Sequence, residues 1–235
     1  MFDVGRRSRA DGQRTLVDQA YDYLLGKLVS VRIAPGERIR IESVARELGI
    51  SQTPVREALS QLEAEKMAFK VPNVGYRASP QMTREQIHDL YTLRLLIEPY
   101  AAARAAEAMT DEMMEEVREI DREMSGIVEG NDRDYVRFAE ADARLHRLIA
   151  NGSGNPLIAD TIERLHAHLQ IFRALYETNA PGPVVMEHRA MIDALLARDP
   201  DAAEAATRMH LASSRMRLDR VAKGDGGAAT KPLAG

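Results

Sequence analysis

The chain of 235 residues holds six histidines and no cysteine, so any metal it binds must be held by nitrogen and oxygen, and neither a thiol nucleophile nor a disulfide is available. One stretch gathers such atoms. Over residues 132–151 the apolar periodicity predicts a helix whose inward stripe is Tyr135, Phe138, Asp142, Leu145, His146 and Ile149. Asp142 and His146 fall one turn apart on the face that should be buried. A lone buried carboxylate is expensive, so something compensates it: an ion pair with His146, or a divalent cation shared with it. Two later stripes carry histidines in the same way, Val185, His188, Ile192 and Leu195 on one, Ala203, Ala206 and His210 on the other. One carboxylate and three imidazoles from three helices can converge on one ion, and each histidine taken alone also suits a hydrogen-bonded core position. Arg94 and Glu98 form a further i, i+4 pair in line with Ile87, Leu90, Tyr91 and Ala101. They can pair with each other, or Arg94 can offer its planar fork to an effector carboxylate.

A second kind of chemistry lies nearer the N-terminus. Ser51, Gln52, Thr53 and Arg56 lie off the apolar stripe formed by Val55, Ala58, Leu59 and Leu62. Arg56 can fork onto guanine, Gln52 can pair with adenine, and the hydroxyls suit phosphates. Gly75 permits close backbone approach to a sugar-phosphate chain, and Arg38, Arg40 and Arg77 are nearby candidates for phosphates. The alternative for Arg56 is a plain surface ion pair with Glu57 or Glu63.

These residues need elements to hold them. Val17, Ala20, Tyr21, Leu24 and Leu28 predict a first helix over 15–31; Ile41, Val44, Ala45 and Leu48 predict a short second one, stopped by Gly49. A third follows at once, with Ser51 or Thr53 as cap and Pro54 in its first turn. Two short helices across a tight glycine turn make a helix-turn-helix. Ala68–Val71 and Tyr76–Ala78 flank the turn-rich Pro72-Asn73-Val74-Gly75, which predicts a wing hairpin. Thr83 with Gln86 forms a capping box that opens six helices, over 83–108, 110–130, 132–151, 155–178, 183–198 and 200–221. The expected fold is therefore mainly α: a winged helix-turn-helix domain over 13–78, a linker over 79–83 and an antiparallel six-helix bundle over 84–221. No apolar run is long enough to cross a membrane, and the N-terminus lacks a signal core, so the expectation is a cytoplasmic protein with no membrane partner. Residues 1–78 carry 13 Lys and Arg against 10 Asp and Glu, and the remainder 19 against 26, within a net charge of −4. A basic front end on an acidic body fits a nucleic-acid reader attached to something else.

Residues 13–78 resemble the GntR family of bacterial regulators, in Gly36-Glu37-Arg38-Ile39, in the run from Val44 to Leu59 that contains Ser51-Gln52-Thr53-Pro54-Val55-Arg56, and in Leu62-Glu63-Ala64-Glu65. Residues 84–221 resemble the FCD effector domain of such regulators, in Asp142-x-x-x-His146, Ser153-Gly154-Asn155-Pro156-Leu157, Glu187-His188-Arg189-Ala190 and Met209-His210-Leu211. The expected helix count is similar to the six-helix, VanR-like branch. The resemblance implies that Asp142, His146, His188 and His210 bind a divalent metal, zinc first, with nickel, iron, cobalt or manganese as alternatives. It also implies a homodimer on double-stranded operator DNA that responds to a metabolite, usually as a repressor. Four ligands of N3O type leave open positions where a small carboxylate effector, balanced by Arg94, could bind. His88, His166 and His168 fall outside the motif, with His166 expected nearest the cavity. Two other functions remain open: a pure divalent-metal sensor, or a metal-dependent enzyme, for which no general base stands on a matched motif.

Overall fold

The computed structural model describes residues 15–127, 132–176 and 181–222. Helix α1 covers Leu16–Val29, and Thr15 caps it in a reciprocal box with Asp18. Of the predicted stripe it buries Ala20, Leu24 and Leu28, with Val17 and Tyr21 half-buried, and it buries Leu25 and Val29 as well. A two-residue strand β1, Arg38–Ile39, follows; it is too short to leave a periodic signal and was not expected. Helix α2 spans Ile41–Leu48 and ends on Gly49 at φ 67°, whose N–H turns back to the carbonyls of Ala45 and Arg46. Helix α3, Gln52–Ala64, buries Val55, Ala58, Leu59 and Leu62. Strands β2 (Ala68–Val71) and β3 (Gly75–Ala78) then form the wing, and β3 lies between β1 and β2 in an antiparallel sheet of three strands. The register sets Arg38 opposite Arg77 and Ile39 opposite Tyr76 on one side of β3, and Val71 opposite Gly75 on the other. Gly75 sits at φ 105°, where a side chain would be strained.

The remaining described residues are helical apart from short connections: α4 Arg84–Ala108, α5 Asp111–Gly126, α6 Asp132–Gly152, α7 Pro156–Leu165, α8 Ala167–Leu175, α9 Pro181–Leu196 and α10 Pro200–Ala222. Thr83 and Gln86 make the capping box that opens α4. The expected ends at 130 and 178 lie outside the described residues. The span expected as one helix over 155–178 is two. His166 takes a left-handed conformation at φ 46°, ending α7 and letting α8 start in a new direction. The described residues therefore place seven helical segments in this half rather than six, and the helix count no longer points to the six-helix branch. No helix among the described residues is long and apolar enough to cross a membrane.

The larger of two hydrophobic clusters spans both halves. Leu24, Leu28, Val55, Leu59 and Leu62 of the winged helix belong to the same buried cluster as Val117, Ile120, Phe138, Leu145 and Leu195 of the bundle. Helix α1 packs against α6 and α8, and Lys66 Nζ donates to the carbonyl of Arg164 at the end of α7 at 3.2 Å. The winged-helix half is thus seated directly on the bundle.

Candidate functional site

Asp142 and His146 on α6, His188 on α9 and His210 on α10 come together inside the bundle. All four are at most 4 % exposed. One potential ligand atom from each lies within 4.8 Å of the others. Ligands held about 2.1 Å from a shared ion are at most about 4.2 Å apart, so a cation would have to draw the widest-spaced of the group in by roughly half an ångström or more. The protein alone does not satisfy these atoms. His146 Nε2 and both ring nitrogens of His188 are buried without a hydrogen-bond partner among the described residues. His188 Nε2 approaches Asp142 Oδ1 to 2.8 Å without the alignment of a hydrogen bond. Buried polar atoms are normally paired, and nitrogen lone pairs converging on a carboxylate suit a divalent cation. The set therefore fits a divalent metal.

Outside the four, a ring of partners orients them. Glu98 Oε2 meets His146 Nδ1 at 2.8 Å, and Glu187 Oε2 meets His210 Nδ1 at 3.0 Å. A carboxylate on Nδ1 holds the imidazole with Nε2 free for a metal. Glu187 is itself clamped by Arg217 at 2.7 and 2.8 Å. Burial opposes ionisation of Glu187, but Arg217 and His210 outweigh it and lower its pKa to about 2. Asp142 is also buried, and the neighbouring His168 and His188 hold it well below the usual carboxylate range. Burial pushes His168 down to about 4 against the pull of Asp142, and burial with the neighbouring His188 takes His210 to about 3. Both rings are therefore neutral near pH 7, the form that ligates metals.

His168, expected either at the surface or just behind the ligands and ranked after His166, is the histidine outside the motif that supports Asp142. It is nearly buried, and its Nδ1 meets Asp142 Oδ2 at 2.6 Å. The expected neighbour of the cavity, His166, instead forms the break between α7 and α8. That break sets the phase of α8, so a continuous helix could not have revealed where His168 falls. Arg94 resolves toward its structural alternative. It donates through Nε to one oxygen of Glu98, and through Nη2 to the other at 3.2 Å. Burial weakens the guanidinium, but Glu98 more than compensates and raises its pKa. Arg94 nonetheless borders a cavity with Asp142, His168 and His210 on its polar side and Tyr135 and Phe172 on its apolar side.

The DNA-reading candidates lie on the other half of the molecule. Ser51, Gln52, Thr53 and Arg56 are all exposed at the start of α3. Ser51 takes the backbone position of the cap without bonding the helix through its hydroxyl. Arg56 Nη2 donates to Gln52 Oε1 at 3.1 Å, and among the described residues no ion pair joins Arg56 to Glu57 or Glu63. Gly75 sits at the wing turn. Arg77 is half-buried and spends one nitrogen on the carbonyl of Gly36 at 2.8 Å, so it is less available than Arg38 and Arg40, which are exposed.

With this geometry in place, the comparisons with known proteins identify the class. Residues 16–77 match the bacterial regulatory proteins of the gntR family, and residues 89–213 match the FCD domain. The chain belongs to the GntR family of transcription regulators and carries an FCD domain; it is a regulator rather than an enzyme. It is 30% identical over 200 residues to a protein of Paenarthrobacter nicotinovorans named as a probable D-xylose utilization operon transcriptional repressor, covering 85% of this chain and 87% of that protein. It is 28% identical over 195 residues to the transcriptional repressor RspR of Escherichia coli (strain K12), covering 82% and 84%. The fold is also that of E. coli McbR/YncC, with a TM-score of 0.63 at 22% identity over 92% of this chain and 100% of that one. Regulators of this family bind operator DNA and typically act as dimers, and some of these relatives are named repressors.

Proposed function

We propose that the chain is a metabolite-responsive repressor. In this reading residues 13–78 read a pseudo-palindromic operator, 79–83 link the halves, and 84–221 hold one divalent ion on Asp142, His146, His188 and His210. It acts in the cytoplasm as a homodimer whose symmetry matches the two operator half-sites. Ser51, Gln52, Thr53 and Arg56 face base edges and phosphates, while Gly75 and Arg77 bring the wing to the backbone. The ion, when bound, supplies a positive centre with positions left for oxygen ligands. The effector is a small carboxylate, one end directed to that centre and its charge balanced by Arg94, with an apolar portion against Tyr135 and Phe172.

One observation supports the reading: a buried Asp and three His lie within ligand distance of one another, with ring nitrogens of His146 and His188 unpartnered, and two of the four, Asp142 and His210, line the cavity that Arg94 also lines. The test is calorimetric titration of short hydroxy-acids, sugar acids and dicarboxylates into metal-loaded and stripped protein, paired with DNA-release assays. Binding that requires the metal supports the mechanism, and equal binding to both forms excludes it. The two hydrogen bonds that Arg94 donates to Glu98 favour a second reading, a sensor of the divalent metal alone. In that case DNA affinity follows free metal ion and no acid changes it.

A further inference from the structure

Arg173, on α8, is 2 % exposed, yet no carboxylate stands against it among the described residues. Its Nη1 donates to the carbonyl of Ser79 at 2.7 Å, whereas Nε and Nη2 are buried with no hydrogen-bond partner. Ser79 is the first residue after the wing strand β3, in the segment that joins the winged helix to α4. The opposite face of the same helix presents His168, Ile171, Phe172 and Leu175 to the cavity. His168 holds the free oxygen of Asp142, and Tyr135 Oη donates to the carbonyl of Phe172 at 2.8 Å. Helix α8 begins at its own break, His166, which separates it from α7.

From this juxtaposition we infer that α8 is the lever between the polar centre and the DNA-reading half, and that Arg173 is the positioning residue through which it moves the linker. The inference rests on the proposed metal centre for its trigger but not for its joint. An arginine buried with two nitrogens unsatisfied costs free energy in this arrangement. The linker contact therefore sits close to balance, and a small shift of α8 releases or tightens it. Among the described residues a single carbonyl, rather than a carboxylate, holds the joint. Any change that draws in His168 through Asp142, or that fills the space beside Tyr135 and Phe172, reaches Ser79 through one rigid helix of nine residues.

The test is hydrogen exchange on the full chain, with and without Zn(II), for wild type, Arg173→Met and Arg173→Lys, with metal content measured on each. Zinc loading of wild type is expected to slow exchange at the linker amides and in α1 by about threefold or more, as expected for local opening. Arg173→Met is expected to bind the same amount of metal, with the slowing confined to the bundle; Arg173→Lys, which keeps one donor, should fall between. The melting temperature of Arg173→Met should match wild type or exceed it, which separates lost coupling from lost folding. A full linker response in Arg173→Met, or none in metal-loaded wild type, overturns the inference. If wild type takes up no metal, the metal-centre reading fails instead, and the joint is judged without it: Arg173→Met must then speed linker exchange, and an unchanged linker overturns the proposal.

Discussion

The start of α3 and the centre on α6, α9 and α10 hold polar side chains under opposite conditions. At α3 the residues stand in water, one beside another in sequence, with an unbroken apolar stripe behind them. Each can be replaced without disturbing the helix, because exposed polar positions contribute little to stability. In the centre each charge leans on another, the inner ones buried and the outer pair half-buried: Arg94 on Glu98, Glu98 on His146, Arg217 on Glu187 and Glu187 on His210. Removing one member leaves its neighbour exposed to the full cost of burial. Mutations should therefore change recognition alone in the first region, and stability together with binding in the second.

The largest expected effect would sharpen this contrast. His188→Ala/His210→Ala should lose the bound ion, and should also lose the stabilisation that a tightly held ligand gives, on the order of 4 kcal/mol when metal is about 1,000-fold above its dissociation constant. Elemental analysis and melting with and without chelator measure both. A double variant that keeps a full equivalent of metal removes these residues from the site. Glu98→Gln comes next. It keeps an acceptor for His146 but weakens the hold on Arg94, and loss of an orienting carboxylate typically lowers metal affinity by about 10–100-fold. Chelator competition gives the number, and unchanged affinity would reduce Glu98 to a partner of Arg94 only.

On the exposed side, Arg56→Ala should cost about 1–3 kcal/mol of operator binding and relax preference at one base position, with no change in melting temperature. Footprinting and binding isotherms on matched and mutated operators check it. A loss of stability in this variant would break the comparison, because it would show that the exposed face is also structural.

What the sequence disclosed follows the same division. Helices with a long apolar stripe were legible because periodicity and caps are local: Thr83 with Gln86, and Gly49, stand where the pattern put them. The four candidate ligands were legible because a charged or imidazole side chain on an apolar stripe is conspicuous. His168, Glu187, Arg173 and Arg217 were not singled out. Their roles depend on partners from other elements: His168 on a helix phase reset at His166, Arg173 on a backbone carbonyl that no side-chain pattern encodes. Strand β1 escaped because two residues have no period.

The smallest predicted effect concerns the wing. Arg38 and Arg77 are directly opposed across β1 and β3, and like charges in that position destabilise a sheet by a few tenths of a kcal/mol to about 1 kcal/mol. A wing that meets a phosphate chain has this repulsion offset once DNA is bound, so the pair should be tolerated for contact rather than for folding. The two arginines should not contribute equally. Arg38 is exposed, while Arg77 is half-buried and already donates to Gly36. Arg38→Ala is therefore expected to weaken operator and unrelated DNA alike and to lower the salt dependence of binding by about one counterion, as loss of one phosphate contact does. Arg77→Ala should lower it by less, and should loosen the turn at Gly36 by about 1 kcal/mol, the usual net worth of a hydrogen bond. Binding measured across a salt series, with melting curves for both variants, separates the outcomes. Equal salt slopes would place both guanidiniums on the phosphates and mean that the bond to Gly36 opens on DNA; an unchanged slope for Arg38→Ala would take β1 away from the DNA altogether.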